Sequence, residues 1–187
     1  MTESAPAPPP PRGSYWVWPS TLLAGSYPGK YDGAQARVRL ETFLDAGIRF
    51  FVDLTEPGEV GSQGVVTPYA ALLHELANAR SLDVGYARHQ IRDTKTPTTE
   101  LMQQIIAEVR AGVADRPSVY VHCRGGTGRT GTVVGCLLVE GGVPPNKVID
   151  RIAELRSDLP PTPWTLTSPE TDDQIMFVRE WGRRKTG

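Results

Sequence analysis

The chain has 187 residues, of which 39% are hydrophobic and 22% are charged, with 20 basic side chains against 21 acidic ones. This length suits one domain, and the composition is typical of a globular chain with a core of normal size, which excludes extensive disorder. The nearly balanced charge gives no indication of nucleic acid or an anionic membrane as a partner.

The N-terminal segment, residues 1–13, is rich in proline and alanine, and we predict that it is disordered. A single domain is then expected over residues 14–187. The first residues lack the basic and apolar regions of a secretory signal, and no run approaches the roughly 18 apolar residues of a membrane helix. Two cysteines are too few for a disulfide framework. We therefore expect a monomeric, cytoplasmic protein with neither a membrane nor a nucleic acid partner.

Predicted strands and helices alternate along the domain. Runs rich in β-branched and aromatic residues predict strands at Tyr15–Trp18, Thr21–Ala24, Ile48–Leu54, Val84–Ile91 and Ser118–His122. Apolar residues at helical spacing, or a proline start, predict helices at 33–47, 68–76, Thr98–Ala114, Thr130–Glu140, 144–155 and Glu170–Arg183. In the first helix, Val38, Phe43 and Leu44 are predicted to share one face. The alternation predicts an α/β fold whose central, mostly parallel sheet is flanked by helices.

The most informative segment is Val121–Gly131, VHCRGGTGRTG, between a predicted strand and a predicted helix. Its glycines fit the G-x-G-x-x-G dinucleotide pattern, but the acidic residue at the required distance, Asp150, lies inside a helical pattern. Too few residues follow Gly131 to complete such a domain. A nucleotide triphosphate loop is excluded because the required lysine is missing.

The same segment suits a phosphate-binding loop, because Cys123 and Arg129 frame a glycine-rich turn before a helix. The backbone N–H groups of residues 124–129 can point at one centre, where the positive end of the helix adds to their effect. Glycines at 125, 126 and 128 permit this curl. Arg129 supplies a two-pronged donor for phosphate. This positive environment favours the thiolate of Cys123, a nucleophile that faces the bound phosphate.

The sequence HCRGGTGRTG resembles the signature of the cysteine-dependent protein tyrosine phosphatases: His-Cys, five residues, Arg, then Ser or Thr. The size of the chain resembles the dual-specificity branch, and the Gly-Gly pair is similar to the kinase-associated phosphatase subgroup and its bacterial relatives. The resemblance implies a phosphotyrosine protein phosphatase-like fold and a two-step reaction through a phosphocysteine, with no metal or cofactor. The substrate-binding loop then comprises Arg124, Gly125, Gly126, Thr127, Gly128 and Arg129.

The resemblance also implies a carboxylic acid that protonates the leaving oxygen. In the family this acid is an aspartate on a mobile loop about 30 residues before the cysteine. Asp93 occupies that place, directly after a predicted strand, and Pro97 resembles the proline of that loop. The tryptophan of the W-P-D loop is missing, and Arg92 precedes the aspartate instead. Asp93 is therefore the predicted acid, although a helix cap or turn is an alternative role.

Two neighbours of Cys123 have roles implied by the resemblance. The ring of His122 is expected to orient the backbone around the cysteine, and the Thr130 hydroxyl is expected to donate to the sulfur and assist its departure. Cys136 lies in an apolar helical segment and is interpreted as a small core residue. A regulatory disulfide with Cys123 is left open.

The C-terminal segment SPETDDQIMFVREW resembles the family's Q-T-x-x-Q-x-x-F segment. Gln174 and Phe177 match its later positions, but Glu170 replaces the first glutamine, which positions the hydrolytic water in the classical branch. We favour an N-cap role for residues 168–173. Segment Asp53–Glu59 follows a strand and is expected near the active loop, with Glu56, Tyr69 and Lys95 suggested at the pocket rim.

The expected substrate is a phosphotyrosine protein, with phosphoserine or phosphothreonine as further possibilities. The alternatives are a small phosphomonoester such as an inositol phosphate, a lipid or an RNA 5′ phosphate, and an inert phosphoprotein-binding module. Lipid-specific relatives carry lysines in the loop, whereas this loop has only Arg124 as an additional base, which disfavours a polyanionic substrate.

Overall fold

The computed structural model describes residues 6–29, 33–61, 64–160 and 167–184. The strands are β1 (Ser14–Trp18), β2 (Leu22–Gly25), β3 (Phe50–Asp53), β4 (Val60–Gly61), β5 (Gly64–Val65), β6 (Gly85–Arg88) and β7 (Val119–His122). The helices are α1 (Gly33–Asp45), α2 (Ala70–Ala79), α3 (Thr99–Asp115), α4 (Gly128–Glu140), α5 (Val148–Leu155), α6 (Asp172–Arg179) and α7 (Trp181–Arg184).

The main sheet has five strands in the order β1-β2-β7-β3-β6. Only the β1–β2 pair is antiparallel; β2, β7, β3 and β6 run parallel. In the register of the parallel strands, Asp53 of β3 and Gly25 of β2 both align with His122 at the end of β7. The prediction of an α/β fold with a mostly parallel central sheet is confirmed, and the register brings the carboxyl ends of three strands together.

Helices cover both faces of the sheet because the alternate residues of each strand point to opposite sides. On one face, strand residues such as Val52 and Val121 pack with the apolar residues of α3, α4 and α5. On the other face, Phe51 and Tyr120 pack with α1 and α2. The buried strands therefore lack a polar face, which explains their nearly continuous apolar sequences.

The predicted strands and helices are present, with differences in detail. The helix predicted at Glu170–Arg183 is divided into α6 and α7, and the strand predicted at Val84–Ile91 is limited to Gly85–Arg88. Val38 was predicted to share one face with Phe43 and Leu44, but it is 64% exposed, whereas the buried face of α1 comprises Ala36, Leu40, Phe43 and Leu44. The short β4–β5 hairpin was not predicted, because its two-residue strands are too brief to show a pattern. The proline-rich loop at 160–163 lies outside the described residues after Pro160.

Within the N-terminal segment, Pro8, Pro11 and Gly13 form hydrogen bonds with β1 and with the residue that follows β2. The disorder expected over residues 1–13 stays a prediction. The indole Nε1 of Trp16 donates to the Pro8 carbonyl at 2.7 Å, and Pro11 is buried. Ser14 N and Ser26 N donate to the Pro11 and Gly13 carbonyls, respectively. All of these bonds are accepted by backbone carbonyls of the segment; residues 1–5 lie outside the described part.

Candidate active site

The active loop begins where the parallel strands end. Residues 123–127 form a continuous bend between β7 and the first turn of α4. Cys123 is 3% exposed and lies one residue beyond His122. A loop at the carboxyl ends of parallel strands is the usual position for a ligand site in an open α/β sheet.

The loop curls around the sulfur of Cys123. The backbone N–H of Gly126 donates to Sγ at 3.3 Å. Gly126 has φ of 74°, and a Cβ there would lie 2.4 Å from the Gly25 carbonyl carbon, so both its conformation and its contact with β2 require glycine. The buried Arg156 fixes the next peptide unit, since its Nη1 donates to the Gly126 carbonyl at 2.7 Å.

Arg129 lies under the loop and is 1% exposed. Its two terminal nitrogens form a bidentate pair with Glu59, at 2.6 and 2.7 Å, and Nη1 also donates to the Ile91 carbonyl at 3.0 Å. Burial works against the charged guanidinium, but the hydrogen bond with Glu59 and the nearby Cys123 sulfur raise the pKa of Arg129 above its ordinary value. Arg129 is therefore a fixed, permanently charged donor beside the thiol.

One donor of Arg129 faces no acceptor in the described part of the chain. Nε is buried and has no hydrogen-bond partner among the described residues. A buried, charged N–H without an acceptor is costly unless a ligand supplies one. The unpaired Nε of Arg129 therefore indicates that an anionic ligand binds at this side of the guanidinium.

Asp93 reaches the loop from the segment that follows β6. Its Oδ1 accepts from Arg129 Nη2 at 2.9 Å, and its Oδ2 accepts from Arg124 Nη2 at 2.6 Å. The Asp93 side chain is 36% exposed, so it lies at the boundary between the buried loop and solvent. The structure brings together Cys123, Arg129 and Asp93, which the sequence predicts as the nucleophile, the phosphate-binding arginine and the acid.

His122 is fully buried behind Cys123. The Tyr69 hydroxyl lies 2.6 Å from Nε2, and the Cys123 carbonyl lies 3.3 Å from Nδ1. Since a carbonyl oxygen only accepts, Nδ1 carries a hydrogen, and a neutral ring then accepts from Tyr69. Burial lowers the pKa of His122 to about 4, although the Asp53 carboxylate 4.0 Å from Nδ1 favours the protonated ring. His122 thus fixes the backbone at the cysteine as a neutral ring.

Asp53 is a buried carboxylate beside this histidine. It accepts hydrogen bonds from the Thr55 hydroxyl, the Tyr86 hydroxyl and Arg88, at 2.6, 2.8 and 2.9 Å. Burial works against its charged form, but the His122 ring and the hydrogen bonds from Thr55 lower the pKa of Asp53. A buried carboxylate with this many donors stays ionised.

The stability of the fold should decrease as the pH falls below about 6.5, the ordinary value for histidine, because the unfolded chain then binds a proton that folded His122 excludes. The expected loss is up to about 1.4 kcal/mol per pH unit until the folded chain is also protonated near pH 4. Urea unfolding at several pH values measures this slope. His122→Asn should flatten it, whereas substitution of the exposed His74 by glutamine should not. Equal slopes in the wild type and His122→Asn would contradict the prediction.

The other predicted loop residues differ in their surroundings. The Thr130 hydroxyl lies 3.5 Å from the Gly25 carbonyl, so the structure gives it a partner other than the sulfur that the sequence suggested. A Cβ at Gly125 would meet no described atom within 4 Å, whereas one at Gly128 would lie 2.9 Å from Glu170 Oε2. The Thr127 carbonyl accepts from Ser168 Oγ at 2.8 Å. Glu170 therefore borders the loop at Gly128.

The C-terminal segment caps its helix, as predicted. Thr171 is the N-cap of α6, and it forms a reciprocal capping box with Gln174. The Gln174 side chain also donates to the Lys95 carbonyl at 3.2 Å, which connects α6 to the segment that carries Asp93. Phe177 is buried against Trp181. This segment supports both the active loop and the acid segment.

The three residues that the sequence suggested at the pocket rim differ in burial. Tyr69 is 1% exposed and bonded to His122, so its placement at the rim was wrong: the ring is needed behind the loop. Lys95 is exposed, and Glu56 is half-buried. Cys136 is a buried core residue of α4, as interpreted, and no disulfide joins it to Cys123.

Sequence reasoning missed Glu59 and Arg156. Glu59 was included only as the end of a segment near the loop, and Arg156 was not considered. Their contacts with Arg129 and Gly126 join residues 70 and 30 positions apart. The sequence did contain one indication for Glu59. It follows a buried strand that ends beside β7, and this order places Glu59 within reach of the loop.

A phosphatase family model matches most of the chain. The model described as PTP-SAK, the DSP-PTPase phosphatase domain of Swiss Army Knife proteins, matches residues 11–180. The chain is also 28% identical over 162 residues to the protein named Putative tyrosine phosphatase 067L of Invertebrate iridescent virus 3. That match covers 81% of this chain and 60% of the viral protein, and a second viral relative is covered over 48% of its length. The chain thus spans about half the length of these curated relatives.

Solved structures share the fold. Tk-PTP in its active form superposes with a TM-score of 0.69 at 20% identity, over 92% of this chain and 97% of Tk-PTP. Kinase associated phosphatase, with its catalytic-site cysteine replaced by serine, gives a TM-score of 0.67 at 20% identity, over 89% of this chain and 88% of that one. Among the described helices, none has both the length and the apolar character needed to cross a membrane.

Proposed function

The chain belongs to the PTP-SAK family of DSP-type phosphatase domains, and from this membership we propose that it hydrolyses phosphomonoesters through a phosphocysteine at Cys123. The resemblance noted in the sequence, to the dual-specificity branch of the tyrosine phosphatases, is confirmed by the family match. The proposed substrate is a protein that carries phosphotyrosine, with phosphoserine and phosphothreonine as further substrates.

The observation that carries the proposal is the unpartnered Nε of Arg129 beside the sulfur of Cys123. A phosphate oxygen would complete this donor, and a second oxygen would take the adjacent Nη2. The Gly126 N–H, which points at Sγ, and the positive end of α4 would stabilise the remaining charge. The phosphorus would then lie next to the nucleophile.

The reaction proceeds in two displacements. In the first, the Cys123 thiolate forms a bond to phosphorus while the bond from phosphorus to the ester oxygen breaks, and Asp93 gives its proton to that oxygen. In the second, water attacks the phosphocysteine, Asp93 takes a proton from the water, and inorganic phosphate leaves as the thiolate is restored. Arg129 and the loop amides stabilise the charge on the equatorial oxygens in both steps.

The substrate preference follows from the charges around the loop. Arg124, the additional base of the loop, is already bonded to Asp93 and to the Val60 carbonyl. It is therefore not directed at a second phosphate of a polyanionic substrate. The viral relatives are named as tyrosine phosphatases, which supports a phosphotyrosine substrate for this chain as well.

Turnover of 4-nitrophenyl phosphate and of a phosphotyrosine peptide by the purified chain tests the proposal. We expect both to be hydrolysed without added metal, and we expect vanadate to inhibit competitively because its oxygens occupy the phosphate site. An inositol polyphosphate, assayed in parallel, should be hydrolysed more slowly than the peptide. The absence of vanadate-sensitive turnover would overturn the enzyme proposal, and a preference for the inositol phosphate would overturn the substrate class.

A further inference from the structure

Arg124 binds two segments that precede the loop by a long way in sequence. Its Nη2 lies 2.6 Å from Asp93 Oδ2, and its Nη1 donates to the Val60 carbonyl at 2.8 Å. Its Nε lies 3.4 Å from Glu59 Oε1. All three nitrogens of this guanidinium therefore face the acid segment and the β4 segment. The sequence predicts that the backbone N–H of Arg124 binds phosphate, and that stays a prediction; the side chain of Arg124 binds protein groups.

The Asp93 carboxylate is shared between two arginines. Oδ1 binds Arg129 Nη2 at 2.9 Å, and Oδ2 binds Arg124 Nη2 at 2.6 Å. A phosphate that takes the Nε and Nη2 donors of Arg129 competes with Oδ1 for Nη2. The bond between Oδ2 and Arg124 does not involve those donors, so it can persist when phosphate binds.

We propose that Arg124 is a positioning residue that holds Asp93 over the loop when phosphate displaces it from Arg129; this inference rests on the proposed function. Oδ2 remains the acceptor of the Arg124 hydrogen bond. Oδ1, released from Arg129, becomes the oxygen that carries the proton to the leaving group. Arg124 therefore holds one oxygen of the carboxylate, while the release of the other oxygen from Arg129 frees it for proton transfer.

The hydrogen bond from Arg124 to the Val60 carbonyl restricts where Arg124 can hold Asp93. Val60 follows Glu59, and Glu59 forms the bidentate pair with Arg129. Arg124 therefore binds the acid to a segment that the buried arginine already fixes. A planar guanidinium can reach a carboxylate and a carbonyl at the same time, whereas the ammonium of lysine is a point charge without this fork. Lysine at this position should replace arginine only in part.

Kinetics with two substrates test the proposal. Phenyl phosphate has a poor leaving group that needs protonation, and 4-nitrophenyl phosphate has a good one. We expect Arg124→Gln to lower kcat for phenyl phosphate by about 10-fold, and for 4-nitrophenyl phosphate by less than about 3-fold, with KM nearly unchanged. The two esters differ because only the poor leaving group depends strongly on protonation, whereas the part that Asp93 plays in the second displacement is common to both. Arg124→Lys should be intermediate, and it provides the test if the glutamine variant does not fold.

Two further variants show whether Arg124 acts through Asp93. In an Asp93→Asn background, Arg124→Gln should cause no additional loss, since residues that act through one another are not additive. The matched control is Arg92→Gln, which removes the same charge from an exposed position next to Asp93; it should leave both substrates unaffected.

The outcomes separate the two proposals. A wild-type chain that hydrolyses neither substrate would overturn the proposed function itself. If the wild type is active but Arg124→Gln behaves like Arg92→Gln, the positioning role is wrong and the function stands. An increase in KM that is equal for both substrates and persists with Asp93→Asn would instead show that Arg124 binds the substrate, which also overturns the positioning role.

Discussion

Substitution of Cys123 by serine should lower kcat for phosphomonoesters by at least about 1,000-fold. A serine hydroxyl is not ionised near neutral pH, so the variant lacks the thiolate that the proposed first displacement requires. Arg129 and the loop amides should remain in place, because the substitution changes one atom, which among the described residues accepts a hydrogen bond from the Gly126 N–H. Binding of inorganic phosphate should therefore persist while turnover is lost.

Initial rates and isothermal titration with phosphate measure these two effects separately. The other cysteine provides the control: Cys136 is buried in the apolar core of α4, and Cys136→Ala should retain turnover below its melting temperature. Retention of vanadate-sensitive activity by Cys123→Ser would show that another residue is the nucleophile. Loss of both activity and phosphate binding would instead indicate that the substitution disturbs the loop.

The sequence predicted the sheet well because its strands are buried on both faces. Phe50–Asp53 and Val119–His122 have apolar residues at successive positions, a pattern that does not depend on knowing the neighbouring strands. The wrong assignment of Val38 has a different origin. Several residues of α1 fit more than one helical face, and only packing against α2 and the sheet decides which face is buried.

The sequence predicted those site residues that lie close together along the chain. It did not predict the residues that reach the site from distant positions in the sequence. Cys123 and Arg129 belong to one loop, so their spacing alone indicated convergence. The carboxylate that fixes Arg129 lies 70 positions earlier, on a segment between a strand and a hairpin that shows no sequence pattern. Glutamates of this kind occur on many protein surfaces, and only the folded structure shows that this one is 6% exposed and forms a bidentate pair with Arg129.

Substitution of Asp93 by asparagine should reveal the acid through its dependence on the leaving group. The amide has nearly the same shape as the carboxylate, and its oxygen can still accept from Arg124, so the position of the side chain is retained. The amide cannot give a proton. We therefore expect kcat for phenyl phosphate to fall by about 100-fold or more, whereas kcat for 4-nitrophenyl phosphate should fall by less than about 10-fold.

The leaving-group dependence decides between an acid and a residue that merely supports the loop. A supporting residue would affect both esters alike, because the loop binds the same phosphate in each. Asp83→Asn is the control, since that aspartate is 91% exposed and paired with Arg116, away from the loop. A series of phenyl phosphates measured with the wild type and Asp93→Asn should give a steeper dependence on leaving-group basicity in the variant. Equal slopes for the wild type and Asp93→Asn would show that another group protonates the ester oxygen. Glu170, which lies beside Gly128, would then be the next carboxylate to substitute.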